Sequence, residues 1–347
     1  MKKTSICTLA EELGIAPSTV SRALNDSPKI SEARRHEIKE LARKRGFQLR
    51  NFAPRITNLC VLLCTISPEE DLFSTYTNQV INGVNRYCNK NSLELSIFSA
   101  PTERLNRMNI VKELFRRGIN GAVVLNARDN SVFIQTLEKA QIPYCCLISG
   151  NPKFPDRMLM IDNRSLAAKG TEHLIQLGHR RIAFLYDNRH IQAYLDRYDG
   201  YKDAMLKAGL PLHPYSMAQP APESSGLGFG FKSTEELLNE YPDTTAIFAV
   251  SYDLIEGAHS AIHSRGLKVP ADISLLGCDD SPHAEFWRPP LTVIDIPNQR
   301  LGFAAAAWVH RQIKDPTVPH PPKEPWMQGN LIVRETTAPP ASVPAGS

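Results

Sequence analysis

Residues 9–25 read LAEELGIAPSTVSRALN. Leu9, Ala10 and Leu13, with Ile6 just upstream, recur at helical spacing, and Gly14 follows as a natural C-terminal stop. Ile15 and Ala16 form the turn, and Pro17 opens a second helix where its missing N–H is harmless. Val20, Ala23 and Leu24 make the inward stripe of that helix, which leaves Ser18, Thr19, Ser21 and Arg22 on the other face. Two helices joined by a short glycine-containing turn are the helix-turn-helix pattern. A third helix, capped by Ser31, follows with Ile38, Leu41 and Ala42 inward and Glu32, Arg34, Arg35 and Lys39 outward. A second helix carrying short hydroxyl side chains and one arginine can enter a major groove, where Arg22 can pair in bidentate fashion with guanine. The competing reading is a small helical domain that uses the same faces for protein contacts.

Charge distribution supports the first reading. Residues 1–57 hold 12 Lys/Arg against 6 Asp/Glu, whereas the other 290 hold 28 against 30. All the basic excess therefore sits in the first sixth of the chain, the footprint of a segment that meets phosphates. At 347 residues with 42% hydrophobic content, the chain is long enough for about two or three packed domains. Seven cysteines (Cys7, Cys60, Cys64, Cys88, Cys145, Cys146, Cys278) are odd in number and show no C-x-x-C spacing, which suits a reducing compartment. With no apolar signal core behind Lys2 and Lys3, and no apolar run near the ~20 residues a bilayer requires, the expectation is a soluble, cytoplasmic protein without a membrane partner.

The run from Leu9 to Asn25 resembles the head of the lactose-repressor/galactose-repressor family, with its A-x-x-x-G-V-S-x-x-T-V-S-R-x-L-N pattern, and Gly46-Phe47 resembles the G-[YF] closing the third helix of that family. The resemblance implies that Pro17, Ser18 and Arg22 read bases while Ser5, Thr19, Ser21 and Asn25 contact backbone phosphate. Relatives usually carry Thr where this chain has Ser5, and the hydroxyl is kept. After the head, relatives place A-x-x-L on a short hinge helix that wedges its Leu into the minor groove. Ala53 and Ile56 fit that pattern, with Ile56 as the wedge. Pro54 departs from it, since a proline inside a short helix costs on the order of 3 kcal/mol.

From Leu59 onward, apolar runs of strand length alternate with amphipathic segments. Strands are expected at 59–65, 93–98, 121–125, 144–148, 181–186, 246–250, 273–276 and 292–294, and helices at 76–90, 105–117, 131–140, 165–177 and 253–265. This alternation predicts an α/β body of two doubly wound parallel sheets, with a ligand at the carboxyl ends of the strands. The family resemblance continues here. It runs through residues 161–163, the His173 to Ala183 segment, residues 196–201, residues 266–280 and residues 331–337, and implies a bilobed body like a periplasmic binding protein. The expected boundaries are a head and hinge at 1–57 and a body at 58–338. Lobe one takes about 58–160 and 293–325, lobe two about 161–292 and 326–338, and residues 339–347 form a disordered tail. By resemblance, Arg197 and Asp279 grip an effector, commonly a polyol, sugar or purine, through directional charged hydrogen bonds. An interlobe salt bridge is the alternative for Arg197, and a turn position for Asp279. Tyr76, Asn126, Asp187 and Ser251 are further ligand candidates. Relatives carry an Asn-Asp pair where this chain has Ser251-Tyr252, and an aromatic platform near position 225 is missing.

Other signals are weak. The Gly226-Leu227-Gly228-Phe229-Gly230 run lacks the lysine of a nucleotide loop and reads as a flexible connector. The ten histidines are scattered without metal-ligand spacing. No nucleophile–base–orienter set emerges, so neither enzymatic activity nor a cofactor is expected. The sequence thus predicts a DNA-binding regulator that recognises a double-stranded, pseudo-palindromic operator as a homodimer, under control of a small-molecule effector. A sugar-binding transport component and an enzyme using the same cleft are the competing functions.

Overall fold

The computed structural model describes residues 6–24, 29–45, 57–65, 74–127, 131–147, 155–186, 191–217, 226–318 and 327–341. Two compact units emerge, the first ending at Ile56 and the second beginning at Thr57. In the first unit, α1 (Ile6–Leu13), α2 (Pro17–Leu24) and α3 (Glu32–Lys44) surround a core of Leu9, Ala10, Val20, Ala23, Leu24, Ile38 and Ala42. Gly14, at φ +62°, ends α1 where a side chain would be strained, and the Ile15 N–H returns to the Ala10 carbonyl at 3.0 Å. Arg45, just past α3, reaches back to the Glu12 carboxylate on α1.

The second unit opens with β1 (Asn58–Thr65), α4 (Thr75–Lys90) and β2 (Glu94–Pro101). Then come α5 (Thr102–Arg107), α6 (Ile110–Arg116), β3 (Gly121–Leu125), α7 (Val132–Lys139), β4 (Tyr144–Leu147) and the short β5 (Met158–Leu159). These strands form one parallel sheet in the order β2-β1-β3-β4-β5. Its strands alternate between two cores, because successive side chains of a strand face opposite ways. Leu59, Val61 and Leu63 join the face that α4 covers, while Cys60, Leu62 and Cys64 join Leu105, Leu114 and Phe133 from α5, α6 and α7. The expected helix at 105–117 is two helices, broken at Met108 and Asn109. The Asn109 side chain accepts the Lys112 N–H at 3.0 Å and so starts α6 anew.

The second lobe begins at α8 (Asn163–Gln176), followed by β6 (Ile182–Leu185), α9 (Gln192–Lys207) and α10 (Gly226–Glu240). It continues with β7 (Ala246–Ala249), α11 (Tyr252–Ser264), β8 (Ser274–Cys278) and β9 (Thr292–Asp295). The chain then returns to pack α12 (Asn298–Lys314) on α4, β3 and β4, and re-enters the second sheet as β10 (Asn330–Ile332). The strand order is β10-β9-β8-β7-β6, parallel except for the antiparallel edge strand β10. The expected return to lobe one at 293 therefore comes later, because Val293 and Ile294 still pair with Gly277 and Cys278 of β8. Residues 335–338 run along the second sheet. Leu275 and Thr336 exchange hydrogen bonds at 2.8 Å, and Ala338 bonds Ser274 and His179. Residues 339–341 continue beyond them; residues 319–326, and 342–347 of the expected tail, lie outside the described set.

The glycines at 226–230 are not a connector. They are the first turns of α10, and Gly230 lies so close to α11 that a Cβ there would meet the Leu254 carbonyl oxygen at 2.3 Å. Gly257 answers from α11, where a Cβ would meet the Leu227 oxygen at 2.1 Å. The missing side chains let two helix backbones touch, which composition alone does not reveal. All seven cysteines are free thiols, six of them buried. No helix among the described residues is long and apolar enough to cross a membrane.

Candidate functional site

Two surfaces carry the predicted residues. On α2, burial of Val20, Ala23 and Leu24 turns Pro17, Ser18 and Arg22 outward, all exposed, with Thr19 half-buried beside them. Arg22 has no hydrogen-bond or ion-pair partner among the described residues, so its guanidinium fork is available to a ligand. Ser21 is also on α2. Ser5, Asn25 and Ile56, and with them Pro54 and the hinge, lie outside the described residues.

The second surface is the cleft where the strand ends of the two lobes face each other. Asp279 follows β8 in a left-handed conformation, φ +69°, which holds its carboxylate at the strand terminus while its N–H still bonds the Ile294 carbonyl. A non-glycine residue kept in that conformation stores strain, as functional positions often do. Its side chain is buried, and Asn298 at the start of α12 donates to Oδ1 at 2.7 Å. Burial pushes the Asp279 carboxyl pKa up, against the opposing pull of Arg197 and the Asn298 hydrogen bond.

Arg197, on α9, is equally buried. Nε donates to Asn163 Oδ1 at 2.9 Å and NH1 to the Val250 carbonyl. Both partners belong to the second lobe, and among the described residues Arg197 forms no interlobe salt bridge. Asn163 is not among the candidates that the sequence offers, and its place comes from the helix it starts. Asp162 caps α8 by accepting the Ser165 N–H at 2.9 Å, and this fixes Asn163 at the helix start, pointing at the guanidinium.

Tyr76, in the first turn of α4, belongs to the first lobe. Its hydroxyl is buried without a hydrogen-bond partner among the described residues. Burial raises its pKa, with Asp279 adding to the rise and Arg197 opposing it, so the phenol, the carboxylate and the guanidinium share one electrostatic environment. Around them the lobes are tied by side chains that sequence reasoning did not single out. Gln79 donates to the Asp280 carbonyl at 2.8 Å, Asn298 also donates to Gln79 Oε1 at 3.0 Å, and Thr75 donates to Asp253 at 3.4 Å.

The remaining candidates differ. Ser251 is the N-cap of α11, its hydroxyl accepting the Leu254 N–H, so it serves the helix first. Asn126 is exposed at the end of β3 with φ +58°, the counterpart in lobe one of the left-handed turn at Asp279. Asp187 lies outside the described residues. Among the described residues no three His, Cys, Asp or Glu side chains converge on a point that could hold a metal ion.

A three-helix head with an outward arginine-bearing helix, together with a two-lobed α/β body, defines a DNA-binding transcriptional regulator. Residues 171–337 match the periplasmic binding protein-like domain. The helix-turn-helix-type transcriptional regulator GalR of Escherichia coli is 29% identical over 307 residues, which cover 87% of each chain. A complex of the regulator CelR with cellobiose superposes with a TM-score of 0.70 at 24% identity, covering 96% of this chain and all of that one. The lac repressor dimer bound to operator and an anti-inducer superposes at 0.68 with 20% identity, covering 97% of this chain and 100% of that one. The chain is a helix-turn-helix transcriptional regulator, similar along most of its length to those of the lactose-repressor/galactose-repressor type.

Proposed function

We propose that this regulator binds a pseudo-palindromic operator as a homodimer, reading bases with Pro17, Ser18 and Arg22. Its affinity for the operator is set by a small polyhydroxylated effector held between Tyr76, Arg197 and Asp279. The observation that carries the effector reading is the buried Tyr76 hydroxyl, unpartnered beside a buried carboxylate and guanidinium. A buried polar group without a partner is costly, and a ligand hydroxyl bonded to both Tyr76 and Asp279 removes that cost. Carboxylate and guanidinium groups are the side chains that grip vicinal hydroxyls most strongly. The complex of a similar regulator with cellobiose favours the same class of ligand. The body binds and releases this ligand unchanged rather than turning it over, and the protein works in the cytoplasm, where its operator is. Domain boundaries follow the same reading: a head to about 57, and two lobes that together run to about 341.

Calorimetric titration with a panel of mono- and disaccharides, cellobiose among them, tests the reading. Any sugar bound should lose at least about a hundredfold in affinity in Asp279→Asn and about tenfold in Tyr76→Phe, the scale of a lost charged and a lost neutral hydrogen bond. The same sugar should change operator affinity. Sugars that bind both variants as tightly as the native protein would place the effector elsewhere.

A further inference from the structure

A cavity of about 330 Å³ opens along the seam of α4 and α12, lined by Gly83, Arg86, Gln299, Arg300, Phe303 and Met327. It lies about two turns of α4 beyond Tyr76 and shares no lining residue with the cleft. Its walls are set by backbone contact. A Cβ on Gly83 would meet the Gln299 carbonyl oxygen at 2.0 Å, and one on Gly302 would meet the Val80 oxygen at 2.2 Å. The two helices therefore hold a preformed space.

Its chemistry is uneven. Arg86 and Arg300 are exposed, and among the described residues neither has a carboxylate partner. Arg86 donates only to the neutral Gln299 Oε1, at 3.1 Å. Asp295 feels the charge of Arg300, and the two form no ion pair among the described residues. Phe303, half-buried and held edge-on by Tyr87 at 5.1 Å, supplies an aromatic wall, and Met327 an apolar one. Two guanidinia over an apolar wall suit a phosphoryl group attached to a flat apolar body, since arginine forks match phosphate oxygens and the rest of the ligand covers the ring. The volume is at the low end of the range for small-molecule sites.

We propose that this cavity is a second ligand site, for a small phosphomonoester bearing an aromatic or similarly flat apolar group, independent of the interlobe cleft. Its position gives it a route to the rest of the body. Gln299 and Arg300 directly follow Asn298, which holds Asp279 and Gln79, and Met327 pairs with Ile161 where the chain crosses between lobes.

Phenyl phosphate is the probe, titrated calorimetrically into the full chain, with inorganic phosphate and phenol as partial ligands. Millimolar or tighter binding is expected, weakened at least tenfold in Arg86→Gln/Arg300→Gln and unchanged in Asp279→Asn. Inorganic phosphate and phenol should each bind more weakly than the whole probe. Absence of binding at 10 mM probe on the order of the weakest useful affinity, or binding that survives the double arginine change, overturns the proposal. So does phenol binding as tightly as phenyl phosphate. Both arginines are exposed, so the double variant should melt with the native protein, and failure of the sugar tests at Asp279 would leave this result standing.

Discussion

His213 has a bare ring nitrogen in the interior of the second lobe. Its Nε2 meets Thr244 Oγ1 at 3.1 Å, and that hydroxyl donates its own hydrogen to the Tyr241 carbonyl at 2.7 Å. Nε2 must therefore carry the proton, and Nδ1 is buried without a partner among the described residues. Protonating Nδ1 would place an unsatisfied charged N–H in the core, and burial accordingly depresses the pKa to about 4 from its ordinary 6.5. A folded pKa below the unfolded one means stability is complete above pH 6.5 and is lost as pH falls toward 4. The loss between pH 7 and pH 5 is about 2 kcal/mol. Denaturant melts at the two pH values should show this difference, and His213→Gln should flatten it; an equal slope in that variant would assign the acid sensitivity to other groups. Asp279 works in the opposite sense, because its raised pKa makes ionisation a burden on the fold that acid relieves. Only part of this was legible in the sequence. Arg197 and Asp279 could be picked out by resemblance, whereas Asn163, Asn298 and the Val250 carbonyl that hold them could not. Amides and backbone oxygens carry no distinctive pattern until the fold brings them together.

At the scale of elements, strands and helices were read unequally well. Residues 121–125 and 246–250 are unbroken apolar runs and fold as β3 and β7, because a strand covered on both faces needs no polar alternation. The α10 helix escaped notice since its first turns hold three glycines, residues that ordinarily mark loops. Two of those glycines have contrasting surroundings, which gives a direct test. Gly230, like Gly257 opposite it, has a backbone oxygen of the partner helix where its Cβ would go, while nothing lies within 4 Å of a Cβ on Gly228. Gly257→Ala should destabilise the body by about 2 kcal/mol or more, as overpacking does. Gly228→Ala should stabilise it by about 0.5 kcal/mol, the ordinary gain of replacing a helical glycine. Chemical denaturation separates the two, and equal effects would mean that the α10–α11 crossing is looser than its geometry. The break at Met108 has a similar origin, as the apolar rhythm carries across Asn109, whose side chain caps the start of α6.

For the molecule as a whole, the charge split is the feature that sequence read best, because no fold is needed to sum charges. The basic head predicts operator binding whose logarithmic affinity falls steeply with the logarithm of salt concentration, by several decades per decade for a dimer contacting six or more phosphates. Arg22→Ala should weaken binding by about 1–3 kcal/mol per half-site and relax preference at one base position, with little change in that slope. Competition assays with single-base operator variants at two salt concentrations measure both quantities. Unchanged base preference would move the reading role off Arg22. The discontinuity of the lobes has a further consequence, for how the chain is made. The head is a short continuous segment, and nothing downstream is needed to close its core. Neither lobe has that freedom. The first sheet lacks the cover of α12 over β3 and β4 until residue 314 exists, and the second lacks β10 and its 335–338 strap until residue 338 exists. On a ribosome that delivers the N-terminus first, the head can fold during synthesis, while both sheets wait, with apolar faces uncovered, until residues 298–338 have emerged.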